Sequence, residues 1–496
     1  MSASSTDKDQ ESAYSAAVKQ KRSLGSYIWD TLDKSPEERK FLNKLDSCLL
    51  TYAFLSYLSK YLDQQNITNA YVSGMQEDLH LVGNDLNYII TAWTCGYVIG
   101  QIPSNLLITR IKPSLWIPAM EVLWSVLTML SSTSENFTHL IVIRFFIGLA
   151  ESTFYPAMQY VIGSWYQKDE LGKRACIFHV ASAIGPMFSG FLQTAAYDGL
   201  NGVHGLAGWK WLFIIDGIIT IPIALLGFLI MPDLPHNTKP SRWYTESQLE
   251  TAKRRMEKVN RKPPSKFTKA KILGFFTTWH IYTLVPLYIL FNNGGGPATS
   301  MIFWLKSFNT PTKTVYTVAQ INIYPLGQNV VQVISTLSWA WWSDAIGMRW
   351  PPIILSGTWS MIVCILLAAT PLYTNIARRW ALYYMTTIPG GMSGLILAWA
   401  NELTGEDSEK RSFVVASCNM WAYVMQAWLP IVLFPQVEQP QVRKGTIATA
   451  CFNLGMMFFA FLTFLLQRRD DSRRQRNLEN IARTEANVQA ISLSYK

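Results

Sequence analysis

Apolar stretches of about twenty residues follow one another through this chain, and they restrict its fold more than any other feature. A helix rises 1.5 Å per residue, so about twenty apolar residues cross the roughly 30 Å hydrocarbon layer of a bilayer. Lipid offers backbone groups no partners, so such a segment must satisfy its own hydrogen bonds as a helix. Twelve stretches qualify: 43–62, 85–108, 114–131, 138–160, 175–197 and 209–231, then 275–303, 316–342, 352–372, 377–400, 411–434 and 445–467. The predicted fold class is an all-α membrane protein with 12 transmembrane helices in two pseudo-symmetric six-helix bundles. Composition agrees: 49% of residues are hydrophobic and 15% charged, too little charge for the surface of a 496-residue soluble chain.

The spans divide the chain. Residues 1–42 form a polar tail, 43–231 a first bundle, 232–272 a basic central loop, 273–467 a second bundle and 468–496 a second tail. Six spans, an insert and six more point to a substrate site between two bundles near the membrane midplane. The net charge of +10 lies outside the spans, concentrated in 1–44, 239–271 and 468–476. Basic residues flanking membrane helices set orientation, so both tails and the loop are expected in the cytoplasm, and nucleic acid is not an expected partner. The loop reads as a solvated linker, with QLETAKRRMEKV as a helix along the membrane surface. SPEER, Ser35 to Arg39, reads as a capped helix start. No short apolar core precedes a cleavage site near the start, so the first span is expected to direct its own insertion.

The six cysteines all fall in apolar stretches and read as small core residues. Asn66-Ile-Thr and Asn136-Phe-Thr are glycosylation sequons on the side opposite the tails. Between spans 8 and 9, Asp344, Gly347 and Arg349 form D-x-x-G-x-R; the equivalent 2–3 loop, NLLITRIK, is a degenerate partner. No phosphate-binding glycine loop, metal cluster or nucleophilic triad is present, so neither an enzyme nor a cofactor is expected.

The fourth span, RFFIGLAESTFYPAMQYVIGSWY, carries Arg144 and Glu151. Seven residues are two helical turns, so both lie on one face. A charge at the centre of a membrane helix costs about 2.5–3.5 kcal/mol even on insertion scales and faces a pathway or a partner. The pair either serves such a pathway or forms a fixed ion pair bracing its own helix, and the two are not exclusive.

Four segments resemble a known family: YLDQQNITNAYVSGMQEDLHLVGNDL (61–86), RFFIGLAESTFYPAMQYVIGSWYQKDELGKR (144–174), DGLNGVHGLAGWKWLFIIDG (198–217) and MPDLPHNTKPSRWYTESQLETAKRRM (231–256). They are similar to the major facilitator superfamily, within it the anion:cation symporters and their fungal allantoate and vitamin permease branch, which includes pantothenate transporters. The match is close in the first half and looser in the second, mainly at 398–445. The resemblance implies proton-coupled uptake of a small organic carboxylate, driven by the proton gradient, in a fungal plasma membrane. The implied partners are the organic anion, protons and the lipid bilayer, and the chain is expected to act as a monomer. Proton-coupling acids of the family fall here on Asp63 and Glu151, with Arg144 beside them. Many members place Arg after the first acid to clamp the substrate; here that position is Gln64. Lys60, four residues earlier on the same helical face, is the candidate replacement, or else a lysine snorkelling to the interface. Tyr97 matches a family tyrosine that faces substrate.

Further polar candidates for a cavity lining are Gln101, Gln193, Asn322, Gln328, Gln332, Asn419 and Gln426, although interhelical bonding is the commoner role of such residues. His179 and His280 read as packing residues. Gly294 and Pro297 sit in an NNGGGP break in span 7 that reads as a gate or a kink. Gly185-Pro186 in span 5 partly resembles an antiporter motif, which keeps export of an acidic metabolite as an alternative; a non-transporting receptor is a third reading.

Overall fold

The structure, a computed structural model, describes residues 30–107, 111–235, 237–257, 269–310, 312–404 and 408–494. All twelve apolar stretches are helical within these residues. The first half comprises α1 (Thr51–Ala70), α2 (Asp85–Leu107), α3 (Pro113–Leu130), α4 (Phe137–Glu151, continued by Phe154–Trp165), α5 (Lys168–Leu200) and α6 (Gly208–Ile230). The second comprises α7 (Trp279–Asn292, then Gly296–Lys306), α8 (Leu326–Ile346), α9 (Trp350–Ala369), α10 (Ile376–Met385, then Met392–Leu403), α11 (Ser408–Leu433) and α12 (Arg443–Ser494). No strand occurs among the described residues beyond one isolated bridge, Thr310 to Lys313. Five of the described helices are long and apolar enough to cross a membrane on length and composition alone, α3, α4, α6, α9 and α12.

Within the first half, α1 packs on α5 and α6, α2 on α4, and α3 on α4 and α6. Within the second, α7 packs on α10, α11 and α12, α9 on α12, and α8 on α9 and α10. The halves meet where α2 packs on α11 and α5 on α8. The α2–α4 crossing is close because a Cβ on Gly148 would collide with the Trp93 carbonyl, and one on Gly96 with that of Phe145.

Breaks follow from local chemistry. In α4, Pro156 has no N–H and its ring opposes the Ser152 carbonyl, so the helix turns at Ser152–Thr153. In α7, Asn293 to Gly295 interrupt the helix, and Pro297 opens the second segment, where its missing N–H costs nothing. In α5, Gly185-Pro186 causes no interruption; a Cβ at Gly185 would clash with the Leu58 carbonyl, so the glycine lets α5 press on α1.

Two sequence expectations change. The first span does not stop at 62: the helix runs to Ala70 and through a π-type turn at Tyr71–Met75. Its polar residues look like loop by composition, yet Asp63, Asn66, Thr68 and Asn69 are buried against neighbouring helices. The Asn66 side chain is buried on Asp216, whereas Asn136 caps α4 by accepting the His139 N–H at 2.9 Å.

The central loop is not simply a solvated linker. Its helix, Glu246–Glu257, docks on the first half through buried Leu249 and Ala252, with Tyr244 buried just ahead of it. Arg255 Nη2 donates to Glu170 Oε1 at 2.6 Å, and Lys34 Nζ lies 3.2 Å from the same carboxylate. The helix Pro36–Leu45, capped by Ser35 as its sequence predicts, adds Phe41 against Trp165. Residues 258–268, with much of the loop's basic charge, lie outside the described residues.

At the 8–9 turn Gly347 ends α8 in the left-handed region, φ +66°. Arg349 reaches across to Glu402 at the end of the second α10 segment, Nη2 to Oε1 2.8 Å, and donates to Ser343 Oγ at 3.0 Å. The side chain of Asp344 falls outside the described residues, as do 108–110 in the 2–3 loop.

Candidate functional site

The site grows from one face of α1. Lys60, Asp63 and Gln64 stand at i, i+3 and i+4, and Asn66 continues the polar surface. Surrounded by helices, these groups can be held only by other buried polar groups, and each finds one. Asp63 pairs with Arg144 of α4: Nη1 to Oδ2 is 3.2 Å, with both side chains 2% exposed. Thr128 of α3 donates to the other Asp63 oxygen at 3.1 Å. Glu151, two turns beyond Arg144, accepts from Gln64 Nε2 at 3.3 Å. The arginine therefore bridges to α1 instead of bracing its own helix against Glu151.

Lys60 does not snorkel. Its ammonium donates to the Tyr97 hydroxyl of α2 at 3.2 Å and sits 4.2 Å from that ring's centroid. Among the described residues no carboxylate lies within ion-pair distance of it; Glu151 acts on it through space. Tyr97 in turn packs on Tyr423 of α11, centroids 4.7 Å apart, so the lysine stands at the seam between the halves. Tyr57 stacks on Phe178 at 4.3 Å, with Tyr61, Tyr155 and His179 around it. His179 is thus a packing residue in an aromatic cluster, and His280 stacks on Trp279 near Lys410.

The remaining candidates are dispersed. Asn419 on α11 is half-buried and makes no described contact with the Lys60 group. Asn322 bonds Ser73 across the halves at 3.0 Å, and Gln328 bonds the Tyr383 carbonyl at 2.8 Å, both interhelical ties. Gly294 and Pro297 lie in the α7 break.

Two buried acids escaped the sequence reading. Asp216 of α6 accepts from Asn66 at 2.7 Å and Thr220 at 3.3 Å. Glu121 of α3 accepts from Tyr52 at 2.6 Å and Ser56 at 3.0 Å. Both interrupt apolar runs, WLFIIDGIIT and IPAMEVLWSV, the same signal that marked Arg144 and Glu151.

Comparison with known proteins now decides the family, since the Major Facilitator Superfamily profile matches residues 53–430. The chain belongs to the Major Facilitator Superfamily. Facilitator relatives include the pantothenate transporter liz1 of Schizosaccharomyces pombe, 34% identical over 89% of this chain and 85% of the relative. The pantothenate transporter FEN2 of Saccharomyces cerevisiae is also 34% identical, over 83% of this chain and 81% of the relative. Among solved structures, a bacterial homologue of the human lysosomal transporter Spinster, in an inward-facing and unoccupied conformation, aligns with a TM-score of 0.55. It covers 84% of this chain and 96% of its own at 15% identity, a likeness of the facilitator fold alone. The expected all-α facilitator fold and membership of a transporter family are thereby met, and the chain is a multi-pass membrane protein.

Proposed function

We propose that this chain is a proton-coupled importer of a small organic carboxylate, with pantothenate first among candidates, working by alternating access. One observation carries the reading: a buried lysine with no described carboxylate partner faces the seam between the halves beside a buried glutamate. An unpaired charge in low dielectric is costly, so Lys60 is poised for an anion. Protonation of Glu151 removes the carboxylate charge that acts on Lys60 through space and strengthens its hold on a substrate carboxylate. Proton and anion then bind with mutual preference, the coupling free energy that symport requires. Asp63 is the second coupling acid. Its protonation would loosen the tie to Arg144 and free α1 to move against α4. Gln64 supports Glu151, and Tyr97 orients the ammonium toward the substrate.

The basic loops support an orientation with both tails in the cytoplasm of a fungal cell's plasma membrane. In that orientation the hydrogen bonds joining the halves lie at the outer end. Asn87 donates to the Phe434 carbonyl at 3.1 Å and accepts from the Gln436 N–H at 2.9 Å. Lys306 reaches Glu77 at 3.1 Å. The structure then stands closed to the outside, with release toward the cytoplasm the next step. The likeness to two pantothenate transporters supports the substrate class, and the monomer is taken as the working unit.

The test is uptake in yeast cells lacking their own pantothenate transport, supplied with labelled pantothenate, biotin or nicotinate at acidic and neutral pH. Acid-stimulated accumulation of one of them is the expected result. Pantothenate uptake that ignores pH would sink proton coupling, and no uptake of any would sink the import reading.

A further inference from the structure

The tie between α1 and α4 has a second acid beside it. Arg144 uses Nη1 on Asp63, while its Nε and Nη2, both buried, have no hydrogen-bond partner. The guanidinium lies 5.5 Å from the Phe213 ring on α6, and Asp216 is one turn further along that helix. Asp216 is 2% exposed and interacts electrostatically with both Asp63 and Arg144. Its hydrogen-bond donors are neutral: the Asn66 amide from α1 and the Thr220 hydroxyl from its own helix. Asn66 also accepts from Ser189 of α5 at 2.6 Å, which fixes the amide so that its NH2 points at Asp216.

Facing Asp216 are Asp63 from α1 and Arg144 from α4, while α5 offers the uncharged Ser189. Glu121 of α3 is engaged elsewhere by Tyr52 and Ser56, and Asp78, beyond α1, is taken by the Trp209 indole at 2.7 Å two turns away. Asp63 also faces Glu151 of α4, whose charge Lys60 offsets, so Asp63 and Asp216 are left with one guanidinium between them. With both ionised, one buried negative charge would go uncompensated, which a low-dielectric interior penalises heavily. Asp63 has the ion pair and a hydroxyl donor, so the extra proton belongs on the other acid.

We propose that Asp216 is a resident proton site, and that Asp63 and Asp216 alternate as the partner of Arg144. When Asp63 takes a proton, the guanidinium turns its idle Nε and Nη2 toward Asp216, which releases its own. One proton is taken up and one given out, so the charge of the cluster is constant and α4 changes its tie from α1 to α6. The exchange deepens the transport mechanism and rests on it, but the proton on Asp216 does not depend on any substrate.

Infrared difference spectroscopy of the purified full chain tests it, read at the carbonyl stretch of protonated carboxylic acids. At neutral pH, Asp216→Asn is expected to lose one carboxyl's worth of that band relative to wild type. Thr220→Val, which keeps the acid and removes a donor, is expected to shift the same component. A band unchanged in both variants overturns the proposal, and the Thr220 variant covers the case in which the asparagine fails to fold. In proteoliposomes with labelled pantothenate, Asp216→Asn should flatten the rise of uptake on acidification while Asp216→Glu keeps it. A wild-type pH profile in Asp216→Asn would remove the acid from the cycle. Absence of uptake in wild type would instead strike the transport reading and leave the infrared result standing.

Discussion

Lys60, Asp63, Arg144 and Glu151 are four charges placed where lipid would surround an isolated helix, and each is neutralised or held by a group from another helix. Two substitutions separate their roles. Glu151→Gln removes a proton acceptor while keeping a group that Gln64 can bond, so proton-driven accumulation is expected to disappear while exchange of internal for external substrate persists. Accumulation against a gradient in that variant would take Glu151 out of the mechanism. Lys60→Ala leaves no cation at Tyr97, and the expected loss is at least tenfold in apparent affinity, about 1.4 kcal/mol or more; uptake at wild-type KM would show that the anion is held elsewhere. The charges themselves were legible in the sequence, because any ionisable residue inside an apolar run calls for a partner. Their pairing was not. Arg144 and Glu151 share a helix face, yet the shorter reach for Arg144 runs across to Asp63, and only helix packing sets that distance. Asp216 and Glu121 carry the same signal as Arg144, but each stands alone in its apolar run and nothing in the sequence pairs it.

At the scale of elements, spans and breaks could be read from apolar length, glycine and proline, while helix ends built of polar residues could not. The α2–α4 crossing is the tightest test of packing. Gly148→Leu would drive a side chain into the Trp93 backbone, and a destabilisation of about 1–3 kcal/mol is expected from overpacking; an unchanged unfolding midpoint in detergent would show that the helices part more easily than their contact implies. The docked central helix gives a second test. Removing one partner of a buried ion pair costs about 3–5 kcal/mol, although Lys34 beside Glu170 softens the loss here. Arg255→Ala is expected to release the helix and speed tryptic cleavage at Lys253 and Arg254, with equal cleavage rates counting against docking. Charge composition suggested a solvated loop because Leu249, Ala252 and Tyr244 are too few to register in a basic segment.

For the whole molecule, the two halves touch through α2 with α11 and α5 with α8, and the described hydrogen bonds between them gather at one end. A cysteine pair at Asn87 and Gln436 should therefore cross-link under oxidation and halt uptake reversibly, whereas cross-linking without effect on transport would mean that this end need not open. The succession of apolar helices was legible, but the end at which the halves are tied depends on contacts between residues some 350 positions apart. α1 is absent from the helices apolar enough to cross a membrane by themselves, because Lys60, Asp63, Asn66 and Asn69 weigh on its transfer to lipid. A ribosome delivering this chain presents that helix before α3, α4, α5 and α6 exist to receive its polar face. Contrary to the expectation that the first span directs its own insertion, residence of α1 in the bilayer then awaits its neighbours, so the first half matures as a unit, and substitutions in α6 that orphan Asn66 would surface first as failed biogenesis.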